Sequence, residues 1–142
     1  MQQTWTEEDL FLVSERAHTW ARQGQLEVAA NLFAGLAAAA PGYLYAQRAL
    51  IAIYLRMERA AEALALIDGS PALLQDWEAR CLRLDALLAL GWRQHAEAEL
   101  ASLRGGLDAQ AAGNYLRRLE TLGRLRSLWR RRDSRRAGSF SV

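Results

Sequence analysis

A three-residue pattern recurs along this chain at spacings of 34 and then 33 residues. Each copy consists of a turn residue, an alanine five positions later and a large apolar residue four positions after the alanine. The copies are Gly24/Ala29/Phe33, Glu58/Ala63/Ile67 and Gly91/Ala96/Leu100. The alanine lets two helices approach closely, and the apolar residue one turn later fills the seam between them. A period of this length predicts stacked helix–turn–helix units.

Composition favours helices and disfavours sheets. Only two of the 142 residues are proline, valine and isoleucine are scarce, and good helix formers such as alanine, leucine and arginine dominate. A chain of this length can bury a core without disulfides or metal. We therefore predict an all-α fold, a right-handed α-solenoid formed by one domain over residues 1–132. Its three units are expected at about residues 7–41, 43–71 and 74–104.

Helix start and stop signals place the ends of this domain. Thr6 is followed by three acidic residues and reads as an N-cap, so the first helix is expected to run to about Arg22. After the third unit, Asp108 is predicted to cap a last helix that covers the open end of the stack, over about residues 108–132. The tail, residues 133–142, is short and polar, and we expect it to be disordered.

Charge is distributed unevenly along the chain. All 18 basic residues are arginine, and residues 117–136 hold nine of them against two acids, a local charge of +7. The rest of the chain carries a charge of −5. One interpretation is a solvated helix face with a basic tail, which is the commoner outcome. A second is an Arg-rich helix that binds nucleic-acid phosphates, and a third is a basic helix that docks on an acidic partner surface.

The sequence shows no recognisable targeting signal, and we expect the protein to be cytoplasmic. The N-terminus lacks the positive region and apolar core of a signal peptide. The most apolar stretch, residues 32–40, is roughly half the ~20 residues that a membrane span requires. Cys81 is the only cysteine, and a lone reduced thiol suits a cytosolic protein.

The chain resembles the tetratricopeptide superfamily over about residues 10–104. The first unit matches the pattern of that repeat at six positions. They are the small residue Ala17, the aromatic Trp20, the turn residue Gly24, the small residue Ala29, the large residue Phe33 and the terminating Pro41. Its segment from Trp20 to Phe33, followed by Pro41 and Arg48-Ala-Leu-Ile-Ala, is similar to the YscY class of small type III secretion chaperones. The segment from Asp76 to Cys81 is similar to the YscG class, which shields the needle subunit. The resemblance implies a bacterial cytoplasmic chaperone that holds an export substrate and presents it to the export gate.

The same resemblance implies a binding groove, because the first helix of each tetratricopeptide unit normally lines a concave surface. The groove positions carried over are Phe11, Ser14, His18 and Arg22 from the first unit, Tyr45, Arg48, Ala52 and Leu55 from the second, and Glu78, Cys81, Asp85 and Leu88 from the third. This face is apolar with charges of both signs, as expected for gripping an amphipathic helix or an extended peptide. The alternative is that some of these side chains only pack against neighbouring helices.

The five tryptophans divide into core and contact candidates. Trp20 stands at a core position of the repeat, and Trp77 and Trp129 are also expected to pack against neighbouring side chains. Trp5 and Trp92, which lie outside the predicted helices, are candidates for exposed contacts, because aromatic residues concentrate binding energy at interfaces.

No residue pattern points to catalysis. Cys81 lies inside a predicted helix without a nearby base and is expected to be a buried apolar residue. His18 and His95 are far apart and lack partners at ligand spacing, so no metal site is predicted. The chain also lacks a phosphate-binding glycine loop and a serine nucleophile elbow.

We therefore expect a non-enzymatic scaffold without a cofactor, which binds a protein client in its groove and acts as a type III secretion chaperone. The client would be a secretion substrate or an apparatus subunit. The alternatives are a general tetratricopeptide adaptor in a multiprotein complex and nucleic-acid binding through the Arg-rich C-terminal helix. A homodimer and a heterodimer both remain open at this point.

Overall fold

The computed structural model describes residues 5–104, where all regular structure is α-helical. The helices are α1 (Glu7–Arg22), α2 (Leu26–Ala39), α3 (Leu44–Arg56), α4 (Ala60–Asp68), α5 (Pro71–Leu74), α6 (Trp77–Ala89) and α7 (Arg93–Arg104). The all-α prediction is confirmed for these residues. The helix predicted over residues 108–132 and the tail predicted over residues 133–142 lie outside the described residues.

Two reciprocal hydrogen bonds fix the start of α1 where the sequence predicts it. The backbone N–H of Asp9 donates to the hydroxyl of Thr6 at 3.1 Å, and the backbone N–H of Thr6 donates to the Asp9 carboxylate at 3.0 Å. These bonds satisfy donors that the helix itself leaves unpaired. They also lower the pKa of Asp9 below its ordinary value. Asp76 is the N-cap of α6, and its carboxylate accepts the Ala79 N–H at 2.9 Å.

The turn that ends the first helix of each unit has the same backbone conformation in all three copies. Gly24, Glu58 and Gly91 have φ angles of +82°, +60° and +73°. In each turn the N–H of this residue donates to the carbonyl three residues earlier, at 3.0–3.2 Å. The next N–H donates to the carbonyl five residues earlier, at 2.8–3.0 Å. This pair of bonds is the Schellman motif, which requires a left-handed residue and therefore favours glycine.

The alanines of the repeated pattern lie inside the protein, as predicted. Ala29, Ala63 and Ala96 have no exposed surface. The large apolar residues four positions later are at most 3% exposed; they are Phe33, Ile67 and Leu100. The periodic pattern therefore marks both the turn and the buried contact of each helical pair.

Each of the longer helices packs against the next one along the chain, and α3 also packs against α6. Phe33 is fully buried in a core that α1, α2 and α3 share. Ile51, Ile67 and Leu73 belong to a second apolar cluster, to which α3, α4, α5 and α6 contribute. The helical pairs are thus joined through shared apolar clusters within the described residues.

A short helix, α5, separates the second and third units, and the sequence pattern does not predict it. The Ser70 hydroxyl accepts the Leu73 N–H at 3.3 Å, and Pro71 occupies the first helical position, where its missing N–H costs nothing. Leu73 is fully buried and anchors this turn. The helix that follows α5 is α6, which begins at Trp77.

Glu99 is a buried carboxylate held by two arginines of α6. Only 8% of Glu99 is exposed, and its two oxygens accept from Arg80 Nε at 3.2 Å and from an Arg83 terminal nitrogen at 2.7 Å. Arg83 also donates to Asp68 at 2.8 Å, and this bond is the main reason why the pKa of Arg83 lies above its ordinary value. The network ties α4, α6 and α7 together.

Candidate protein-binding surface

Side-chain contacts join the first helices of the three units to one another. On α1, His18 Nε2 forms a short hydrogen bond with the hydroxyl of Tyr45 on α3. Also on α3, Arg48 donates to the Asp76 carboxylate at 2.9 Å and lies 3.4 Å from a Glu78 oxygen at the start of α6. We define the first-helix surface as the side of the protein formed by these residues together with Phe11 of α1 and Leu55 of α3.

Aromatic rings support the α1 end of this surface. The His18 ring meets the buried Phe33 ring edge-on, with centroids 5.1 Å apart, and meets the Tyr45 ring at 5.8 Å. The Tyr43 and Tyr45 rings lie 5.7 Å apart. Burial is the main reason why the pKa of Tyr45 lies above its ordinary value, with smaller contributions from Tyr43 and Glu15. The Tyr45 hydroxyl therefore stays protonated and can donate a hydrogen bond.

The ten predicted groove residues that form the candidate site differ in exposure. Four are exposed: Phe11, Arg22, Tyr45 and Glu78. The other six are half-buried: His18, Arg48, Ala52, Leu55, Asp85 and Leu88. The structure brings His18 to Tyr45 and Arg48 to Glu78. The Arg22 side chain is directed along its own helix, with a terminal nitrogen 3.4 Å from the Thr19 hydroxyl.

Two further positions carried over as groove residues are buried, so the prediction is wrong for Ser14 and Cys81. Ser14 is 3% exposed; its hydroxyl donates to the Leu10 carbonyl at 2.8 Å and lies 3.4 Å from the Tyr43 hydroxyl. It lies on the side of α1 that also carries the buried residue Ala17. Cys81 is buried in α6, which confirms the expectation of a buried apolar residue and excludes it from the surface.

The tryptophans also depart from the sequence-based interpretation. Trp20 is 38% exposed, so its assignment to the core is wrong. It lies near the C-terminal end of α1. Trp5 and Trp92 are exposed, as their position outside the helices suggested, whereas Trp77 is half-buried. Trp129 lies outside the described residues.

A second exposed apolar face was not anticipated from the sequence. A shallow depression on the outside of α1 is lined by Leu12, Glu15, Arg16, Thr19, Trp20 and Gln23. Leu12 is exposed and lies two helical turns before Trp20. The helical spacing of these residues could have indicated a common face, but only tertiary packing shows that the face stays open.

The contact between Arg48 and Asp76 was also missed, although Arg48 itself was predicted. The two residues are 28 positions apart, and no local pattern relates them. Asp76 performs two functions, since it caps α6 and neutralises Arg48.

The described residues hold no cluster of three or more histidine, cysteine or acidic side chains that could bind a metal ion. Among the helices of residues 5–104, none combines the length and apolar character needed to cross a membrane. Comparison with family models, with curated proteins and with solved structures finds no match to this chain.

Proposed function

We propose that this chain is a non-enzymatic helical scaffold of the tetratricopeptide type, which binds a protein client on its first-helix surface. The observation that carries the proposal is the threefold recurrence of one structural unit. Three Schellman turns at a spacing of 34 and 33 residues, each followed by a buried alanine, support a chain of equivalent helical pairs. Repeats of this kind form extended surfaces that bind other polypeptides.

The composition of the first-helix surface supports a polypeptide ligand. Phe11 is 59% exposed and Tyr45 is 39% exposed, so both rings can cover apolar side chains of a client. Full burial of one such side chain is worth about 1.5–3 kcal/mol. Around them lie charged groups of both signs, which would fix the orientation of the client. Clients with an exposed apolar segment would be kept from aggregating, because that segment is removed from water.

The finer proposal is that the protein acts as a cytoplasmic chaperone of a bacterial type III secretion system. It rests on the resemblance of residues 20–33 to the YscY class, a segment that forms the last part of α1, the first Schellman turn and the first half of α2. Release would then follow from competition at the export machinery.

The test has two parts. The full-length chain is purified with its partners from the native cell, and the partners are identified by mass spectrometry. Tyr45→Ala/Leu55→Ala is then compared with Leu12→Ala/Val28→Ala, a control pair of exposed apolar residues on the outside of α1 and on α2. We expect the first pair to weaken client binding and the control pair to leave it unchanged, with helicity by circular dichroism retained in both.

Each result separates the candidates. A small export substrate whose binding depends on Tyr45 and Leu55 supports the chaperone proposal, whereas recovery of a stable multiprotein complex favours an adaptor. Loss of binding only in the Leu12→Ala/Val28→Ala control would contradict the proposed surface. Recovery of RNA at ~0.15 M salt, with no protein client, would contradict protein binding as the function.

A further inference from the structure

We infer that the first-helix surface selects an amphipathic client segment whose polar residues are basic. This inference rests on the proposed function and adds the chemistry of the partner. Three carboxylates lie on this surface or at its edge, those of Glu15, Asp76 and Glu78, against the guanidinium groups of Arg22 and Arg48. The described residues as a whole hold nine arginines against 13 acidic residues. A partner that matches this surface therefore carries positive charge.

Glu15 marks the first place for a positive charge. It lies on α1 one turn after Phe11 and one turn before His18, and its carboxylate is close enough to raise the pKa of Tyr45. No arginine of residues 5–104 forms an ion pair with it. An exposed carboxylate beside the exposed rings of Phe11 and Tyr45 suits a guanidinium or ammonium group, which can pair with the acid and lie over a ring.

Glu78 marks the second place. Arg48 is shared by two carboxylates, and Asp76 holds it more closely, at 2.9 Å compared with 3.4 Å for Glu78. The side chain of Glu78 is 67% exposed, whereas that of Asp76 is 18% exposed. Since Asp76 already neutralises Arg48, the Glu78 carboxylate can turn to a basic group of a client at little cost.

An acidic client is disfavoured by the same geometry. Arg48 is engaged by Asp76, and Arg22 is directed to the Thr19 hydroxyl of its own helix. An acidic side chain placed beside Glu15 or Glu78 would meet a like charge at close range, which opposes binding, and of these two arginines Arg22 alone keeps a charge that could offset this repulsion.

The experiment uses three model peptides and the full-length chain. Each peptide is an amphipathic helix of about 18 residues, or about five turns. All have leucine on one face and carry arginine, glutamine or glutamate on the other. Binding is measured by fluorescence anisotropy at ~0.15 M salt. We expect the Leu/Arg peptide to bind about tenfold more tightly than the Leu/Gln peptide, because it can form one cation–π contact and two ion pairs that the Leu/Gln peptide lacks. The Leu/Glu peptide should bind most weakly of the three.

Matched variants separate specific from general attraction. Glu15→Gln/Glu78→Gln should lower the affinity for the Leu/Arg peptide to that for the Leu/Gln peptide. The affinity for the Leu/Gln peptide itself should not change. The control Glu27→Gln/Glu62→Gln makes the same charge change on α2 and α4, where both residues are exposed and each pairs with Arg59. It should leave all three affinities unchanged.

Three outcomes overturn the inference. If the control variant weakens the Leu/Arg peptide as much as the surface variant does, the attraction is not specific to this surface. If the three peptides bind equally, the preference for basic clients is wrong and the protein-binding function stands. If none of them binds, both the inference and the proposed function are contradicted.

Discussion

The three Schellman turns allow a test in which one type of substitution has opposite effects at different sites. Gly24 and Gly91 occupy the left-handed region, with φ of +82° and +73°, whereas Gly35 lies inside α2. A Cβ atom placed on any of the three meets no heavy atom within 4 Å. Collision of the new Cβ atom with side chains elsewhere in the fold therefore contributes nothing, and the effect of Gly→Ala isolates local backbone conformation.

The magnitude follows from two opposing terms. An L-residue in the left-handed region costs about 1–2 kcal/mol, and replacing glycine by alanine regains about 0.4–1 kcal/mol by restricting the unfolded chain. Gly24→Ala and Gly91→Ala should each lower the free energy of unfolding by about 1 kcal/mol. Gly35→Ala should raise it by a similar amount, because glycine in a helix interior is about 1 kcal/mol worse than alanine.

Glu58 provides the reverse experiment. It occupies the same turn position with φ of +60°, the only positive φ of a non-glycine residue among those described. Glu58→Gly should therefore stabilise the protein by about 1 kcal/mol, which corresponds to a rise of about 4 °C in melting temperature. Glu58→Ala keeps the Cβ atom in the left-handed region and is the control that should lack most of this gain.

Urea unfolding followed by circular dichroism measures all five variants under one condition. The reasoning is refuted if Gly24→Ala and Gly91→Ala stabilise the protein as Gly35→Ala does, because the turns would then not be left-handed in solution. A lower stability of Glu58→Gly compared with Glu58→Ala would also contradict it.

The remaining predictions concern the buried contacts, the ion-pair network and the first helix cap. Ala63 has no exposed surface, so Ala63→Leu should overpack this contact at a cost of about 1–3 kcal/mol. Ala61→Leu, exposed on the same helix, should change stability by less than about 0.5 kcal/mol, and equal melting temperatures of the two variants would contradict the repeat packing. Glu99→Gln deprives two arginines of their buried partner and should cost about 1–3 kcal/mol in urea unfolding, compared with less than about 1 kcal/mol for Asp68→Asn at the exposed end of the network. Thr6→Ala should lower the melting temperature by about 4 °C. Because Thr6 lowers the pKa of Asp9 on folding, the stability that this carboxylate contributes is complete above its ordinary pKa of 3.8 and is lost as the pH falls through the folded value. Asp9→Asn removes the titrating group and should therefore lose less stability on acidification below that pH than the wild type does, and an equal loss would argue against the cap.

The sequence determined the features that depend on neighbours a few positions away. The start of α1 at Thr6 follows from one side chain and the next three residues, and the structure places the cap there. The repeated turn and its buried alanine follow from offsets of five and nine residues, so Ala63 could be placed even though Glu58 replaces the usual glycine. Helix geometry is local, and a pattern along the chain is sufficient to predict it.

Tertiary structure alone decided which polar groups meet and which apolar faces stay open. Arg48 finds Asp76 only because α3 packs against α6, and Glu99 is buried only because α7 brings it to two arginines of α6. Trp20 fits a core position of the repeat pattern, yet it is 38% exposed in the folded protein. Such outcomes depend on the angles between helices and on insertions such as α5, and a periodic sequence pattern contains neither.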